Sequence, residues 1–245
     1  MAGASVASAA VASVLSDQPR AALGGAVAAL GGGLAGYIDD VDQGAHDGGK
    51  VAKGLKGHLG ALAHGQVTTG VIKIAGIGAS ALAASALVGS KAPSVSGKAA
   101  DLALNTVLIA GAANLANLLD LRPGRALKAT VLVAAPLSYF SCADAKTPAS
   151  PASAQRLLAS GLNAAAITAL VEDLQEITML GDTGANAAGA LLGTSLAAND
   201  SWKLRLGTTL GVVGLILASE KVSFSKVIAA NPALNWLDQL WRRPL

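Results

Sequence analysis

The chain has 245 residues, 52% of them hydrophobic and only 13% charged, with a formal net charge of +3. A soluble domain carries about a quarter charged residues, so the composition argues for a bilayer as solvent. The small, scattered positive charge excludes a nucleic-acid partner, and a single cysteine, Cys142, excludes a disulfide framework and any multi-cysteine metal site.

Apolar runs close to the ~20 residues that cross a hydrocarbon core recur along the chain, which predicts an all-α, polytopic transmembrane bundle of about eight spans. In chain order they lie near residues 2–16, 21–38, 70–89, 99–119, 125–142, 153–171, 183–199 and 203–219. The first run is short and lacks the basic flank of a signal peptide. Residues 1–245 read as one integral-membrane domain, with 220–245 as an extramembranous tail. Val227, Ile228, Leu234, Trp236, Leu237 and Leu240 suit an amphipathic interfacial helix there, with Arg242 and Arg243 reaching lipid phosphates. Aromatic residues make up 3% of the chain and glycine occurs 29 times. Weakly hydrophobic helices of this kind pack closely through small residues, and Gly32/Gly36 and Gly189/Gly193 have the required spacing.

With these spans, Lys and Arg divide eleven to seven between the two faces, which assigns the richer face to the cytoplasm of a cell membrane. The same face collects Asp39-Asp40, Asn114-x-x-Asn117-x-x-Asp120, Glu172-Asp173 and Gly181-Asp182-Thr183-Gly184. Each puts carboxylates at a helix end, where their burial in a membrane protein costs least. Asn114, Asn117 and Asp120 form one stripe of a helix. Carboxylates from several helix ends beside cations suit a divalent metal and a phosphorylated ligand. The glycine-rich loop between Asp42 and Lys73 carries Lys50, Lys53, Lys56, His58 and His64, a basic segment able to cover a phosphate. His46, His58 and His64 lack the spacing of a zinc site. Two other patterns are decoys: Gly31-x-Gly33-x-x-Gly36 lies inside an apolar span, and Gly44 to Val51 misses the Ser/Thr of a P-loop.

At these residues the chain resembles the polyprenyl-phosphate sugar-1-phosphate transferases, the family that includes phospho-N-acetylmuramoyl-pentapeptide transferase. The matching pieces are Gly36-Tyr-Ile-Asp-Asp40, Asn114-x-x-Asn117-Leu-x-Asp120 and Met179-Leu-Gly-Asp182-x-Gly184, in the family's order, within roughly residues 21–220. The resemblance implies Mg²⁺-dependent transfer of a sugar 1-phosphate from a nucleotide diphosphate sugar, UDP-linked in the family, to a membrane polyprenyl phosphate in cell-envelope glycan synthesis. Mn²⁺ is an alternative metal, and a homodimer is compatible with it. Carried across, Asp182 becomes the metal ligand and Asp39 and Asp40 the catalytic acidic pair. Asn114, Asn117, Asp120, Lys56, His58 and Lys73 become substrate-binding. The chain departs from the family at Pro123, where a second Asp is usual, and at Met179, where an aromatic is usual. The alternative is a non-catalytic relative that binds or moves a polyprenyl-phosphate-linked lipid or scaffolds envelope enzymes.

Overall fold

The computed structural model describes residues 18–42, 54–90, 92–140 and 151–243. The span expected at 2–16 and the near-P-loop at 44–51 fall outside the described residues, as does Cys142. Helices α1 (Pro19–Asp42), α2 (Gly54–Ala63), α3 (Thr69–Val88), α4 (Val95–Leu119) and α5 (Arg125–Phe140) come first. They are followed by α6 (Pro151–Leu174), α7 (Gly181–Ala197), α8 (Trp202–Ser219), α9 (Phe224–Ala230) and α10 (Pro232–Gln239). The described residues contain no strand.

Local chemistry sets many of the boundaries. Thr68, Ser94 and Ser201 each accept a backbone N–H of the first turn that follows them, supplying partners that a helix start otherwise lacks. Asn231 does the same for α10, with Pro232 in the first turn, where its missing N–H is harmless.

Among the described residues, four helices are long and apolar enough to cross a membrane: α1, α3, α4 and α6 from Ala154. The sequence predicts seven spans over the described region; the helices at the other three positions, α5, α7 and α8, have 16, 17 and 18 residues and fall short in length or hydropathy, so four spans are supported rather than seven. The case of α7 has a packing reason. It runs through the middle of the bundle, buried from Gly184 to Leu191 and from Gly193 to Ala197. A helix wrapped by other helices need not be apolar enough to face lipid.

The two small-residue pairs build this centre. A Cβ on Gly32 would meet the Asn186 carbonyl at 3.0 Å, and one on Gly36 would lie 2.3 Å from the Asp182 carbonyl oxygen. Across α7, a Cβ on Gly189 would lie 2.4 Å from the Ala112 carbonyl and one on Gly193 2.7 Å from the Ile109 Cα. Thus α1 and α4 clasp α7 at backbone contact distance, and Gly31 of the apparent dinucleotide motif merely seats α1 on Ser80 of α3. Alanine fills the interior (Ala28, Ala29, Ala113, Ala159, Ala185 and Ala187 are all fully buried), while Leu30, Leu34, Leu82, Leu210 and Leu217 lie on the outside. Small inside and large apolar outside is the arrangement expected where lipid, not water, covers the surface.

Candidate functional site

Antiparallel neighbours bring distant helix ends together. The C-terminal ends of α1, α4 and α6 meet the N-terminal ends of α3, α5 and α7. Thr69 at the start of α3 donates to Asp42 at the end of α1 at 2.5 Å, closing one edge of this end.

Four side chains from four helices converge here. The Lys73 ammonium of α3 donates to Asp39 Oδ2 of α1 at 2.9 Å and is in contact with Asp182 Oδ2 of α7. The Asn117 amide of α4, oriented by its neighbours, donates to Asp182 Oδ1 at 2.8 Å and accepts from Lys73 Nζ at 3.1 Å. Lys73 is mostly covered, whereas Asp39 and Asp182 keep about a third of their side-chain surface open, 32% and 29%. Three oxygen-bearing groups therefore surround one ammonium. Hard oxygen donors suit Mg²⁺, so the residues present fit that ion, with Asn117 completing a pair of carboxylates. No group of three or more His, Cys, Asp or Glu side chains able to hold a metal occurs among the described residues.

Asp40 has a different task from its neighbour. Its carboxylate accepts from the backbone N–H groups of Asp182 at 3.2 Å and Thr183 at 3.0 Å, and from the Thr183 hydroxyl at 2.6 Å. Leu180 precedes α7 without a side-chain cap, so Asp40 caps that helix from α1. Gly181 has φ +63°, and a Cβ there would press on the Asp40 carboxylate at 3.2 Å. The Asp182 side chain faces Lys73 and Asn117 rather than the start of its own helix.

Asp120 sits just beyond α4, half-buried, and accepts from the Gly181 backbone N–H. Burial, followed by the charges of Asp173 and Asp182, pushes its carboxyl up to about 7 despite that hydrogen bond. Asp173 is buried and braces the connection into α7, accepting from Gly124 N at 2.6 Å and Leu180 N at 3.0 Å. Asn114 is half-buried on α4, one turn below Asn117. The side chains of Lys56 and His58, on α2, lie outside the described residues. Beside the cluster, a cavity of about 310 Å³ lies between α6 and the start of α7, lined among others by Thr168, Glu172, Met179, Leu180 and Thr183.

One arrangement at this end was not legible in the sequence. The tail folds back onto α5, where Arg125 Nε and Nη2 donate to Asp238 at 2.6 and 3.1 Å and Arg125 Nη1 donates to Ser225 at 2.9 Å. Lys128 Nζ donates to the carbonyls of Leu237, Asp238 and Leu240, capping the C-terminus of α10. The stretch Leu121-Arg-Pro-Gly-Arg125, where the chain leaves the transferase pattern, thus leads into a clamp for α9 and α10. The spacing of Arg125 and Lys128, one helical turn, was the only available signal.

No protein-family model matches the chain, and no curated protein does.

Proposed function

We propose that the chain is a membrane-embedded phosphoglycosyl transferase that moves a sugar 1-phosphate from a nucleotide diphosphate sugar to a polyprenyl phosphate in cell-envelope glycan synthesis. The observation that carries this reading is the meeting of Asp39, Lys73, Asn117 and Asp182 around one cation position. Lys73 and Asp182 lie 109 positions apart along the chain, and solubility alone gives no reason for the four side chains to converge.

In this reading α5, α7 and α8 join the four long apolar helices as spans of one bundle. The excess of Lys and Arg on the side of the site supports a cytoplasmic face of the cell membrane for it. Asp182, Asn117 and Asp39 would hold Mg²⁺, with Asp182 as principal ligand. When bound, the ion offsets the charge of two anionic substrates. Lys73 carries its ammonium on a flexible stem and can turn from the carboxylates to a phosphate oxygen. Asp39 orients or deprotonates the lipid phosphate, whose oxygen forms the new P–O bond to the sugar-bearing phosphorus. The bridging P–O bond breaks, and the nucleoside monophosphate leaves with the electron pair. Asp40 holds Asp182 in place through the start of α7. The cavity beside Met179 and Glu172 offers room for the nucleotide, with Asn114 and Asp120 as further contacts.

One observation favours the non-catalytic alternative: Lys73 by itself neutralises part of the Asp39–Asp182 charge, as a purely structural ion pair would. A turnover assay separates the two. Purified protein is supplied with radiolabelled nucleotide diphosphate sugar, polyprenyl phosphate and Mg²⁺, and lipid-linked label is counted. Product that disappears in Asp182→Asn and Asp39→Asn supports the transferase. Saturable polyprenyl-phosphate binding without product supports the non-catalytic relative, and neither binding nor product overturns both.

A further inference from the structure

A second polar cavity lies at the end of the bundle opposite Asp182. It has a volume of about 390 Å³ and is lined among others by Arg20, Ser90, Asp101, Asn199, Asp200 and Arg205. These residues come from the starts of α1, α4 and α8 and from the segments that follow α3 and α7. The size falls within the ~300–1,000 Å³ usual for ligand sites.

The hydrogen bonding around this cavity is unbalanced. Arg205 is 7% exposed, and its Nη2 donates to Asp101 Oδ1 at 2.9 Å while Nη1 donates to Asn105 Oδ1 at 2.9 Å. Its Nε–H is buried without an acceptor, and so is the Nδ2 of fully buried Asn105. The acceptors, by contrast, are taken. Asp101 Oδ2 receives the Ser90 hydroxyl at 2.6 Å, and Asn199 Oδ1 receives the Ser201 N–H at 2.8 Å. Arg20 is exposed at the mouth and forms no hydrogen bond or ion pair among the described residues. Asp200 is also exposed there and has interactions of its own. The unpartnered buried side-chain atoms of Arg205 and Asn105 are both donors. A buried N–H without a partner is expensive, and a guanidinium facing a cavity calls for an anion.

We propose that this cavity is an oxyanion site that takes a phosphate group, from either a lipid headgroup or a soluble phosphate. A tetrahedral phosphate can accept from Arg205 Nε and the Arg20 guanidinium through separate oxygens. Asp101 keeps the Arg205 charge compensated when the site is open, so the ligand is held by Arg20 and by hydrogen bonds rather than by a large net field. Phosphate is also the anion that a bilayer presents at a bundle end. The site is independent of the transferase reading and lies at the other end of α7.

The test is thermal unfolding of the full chain in detergent micelles. It is titrated with inorganic phosphate in one arm and with phosphatidylglycerol in the other, each against chloride at matched ionic strength. A saturable rise in Tm is expected in at least one arm, and the responding arm identifies the source. Arg20→Gln, a surface change, weakens the apparent affinity about tenfold. Arg205→Lys, which retains a cation for Asp101 but lacks the Nε–H, does the same. No saturable shift in either arm, or a shift untouched by both Arg20→Gln and Arg205→Lys, overturns the proposal.

Discussion

Asp40 accepts two hydrogen bonds at one oxygen from Thr183, a residue 143 positions away, through its backbone N–H and its hydroxyl. A carboxylate on α1 therefore does the work that a local cap would do for α7. It also complements the positive end of that helix. The cap holds Asp182, the next residue back, at a fixed height against Lys73 and Asn117.

Replacing the cap should separate stability from chemistry. Asp40→Ala removes all three acceptor contacts and is expected to lower stability by about 1 kcal/mol, the usual loss for a cap. Thr183→Val removes only the hydroxyl donor and should cost less. Thermal unfolding checks both. If the proposed transferase activity is present, Asp40→Asn, which retains acceptor oxygen, should keep more of it than Asp39→Asn. Equal loss in the two would contradict the division of labour.

The glycine contacts predict opposite outcomes for the same substitution. Gly36→Ala places a methyl carbon 2.3 Å from the Asp182 carbonyl, where only backbone could give way. A loss of about 1–3 kcal/mol, or more, is expected from such overpacking. Gly78→Ala in α3 meets nothing within 4 Å, so helix propensity alone acts and stabilises by up to about 1 kcal/mol. Paired melting curves decide it; two losses of similar size would mean that α1 and α7 are not in backbone contact.

Asp238 should make the tail acid-labile. Its side chain is 2% exposed. Burial pushes its pKa up, but the Arg125 hydrogen bonds and charge, with Lys128 and Arg242, hold it below the usual carboxylate value. A depressed folded-state pKa contributes stability above the unfolded value of about 4, and that stability is lost as pH falls below it. Asp238→Asn should therefore remove a pH-dependent loss of tail docking. At neutral pH it should cost about 3–5 kcal/mol locally, because Arg125 is left buried without its partner. Limited proteolysis after Ser219, followed against pH, reads the effect directly.

Asp120 predicts the reverse sign. Its folded-state pKa of about 7 lies above the unfolded value, so the folded state holds the proton more tightly. Stability is then lost as pH rises from about 4 to about 7. Asp120→Asn should melt increasingly above the parent over that range, with the difference levelling off above pH 7. A difference independent of pH would mean that Asp120 is not in the acidic neighbourhood of Asp173 and Asp182.

Much of this arrangement was legible in the chain. Apolar runs marked every long helix because a bilayer-length segment is a local property. Counting spans then placed Asp39, Asn117 and Asp182 at one end by parity alone. The glycine pairs signalled close packing for the same reason: a spacing of four residues fixes a face of the helix.

What residues alone could not decide was which face meets which neighbour. Asp39 and Asp40 are adjacent in sequence and equally acidic. On a helix they point about 100° apart, so one faces Lys73 and the other the start of α7. Asp173, Arg125 and Lys128 read as charges at helix ends. Only the return of the chain supplied their partners, the backbone of Gly124 and Leu180 for the first, Asp238 and the end of α10 for the others. Composition and periodicity are summed over neighbours along the chain and so determine helices and their depth. A hydrogen bond between residues 143 apart depends on the packing of whole helices, and that was decided by the tertiary structure.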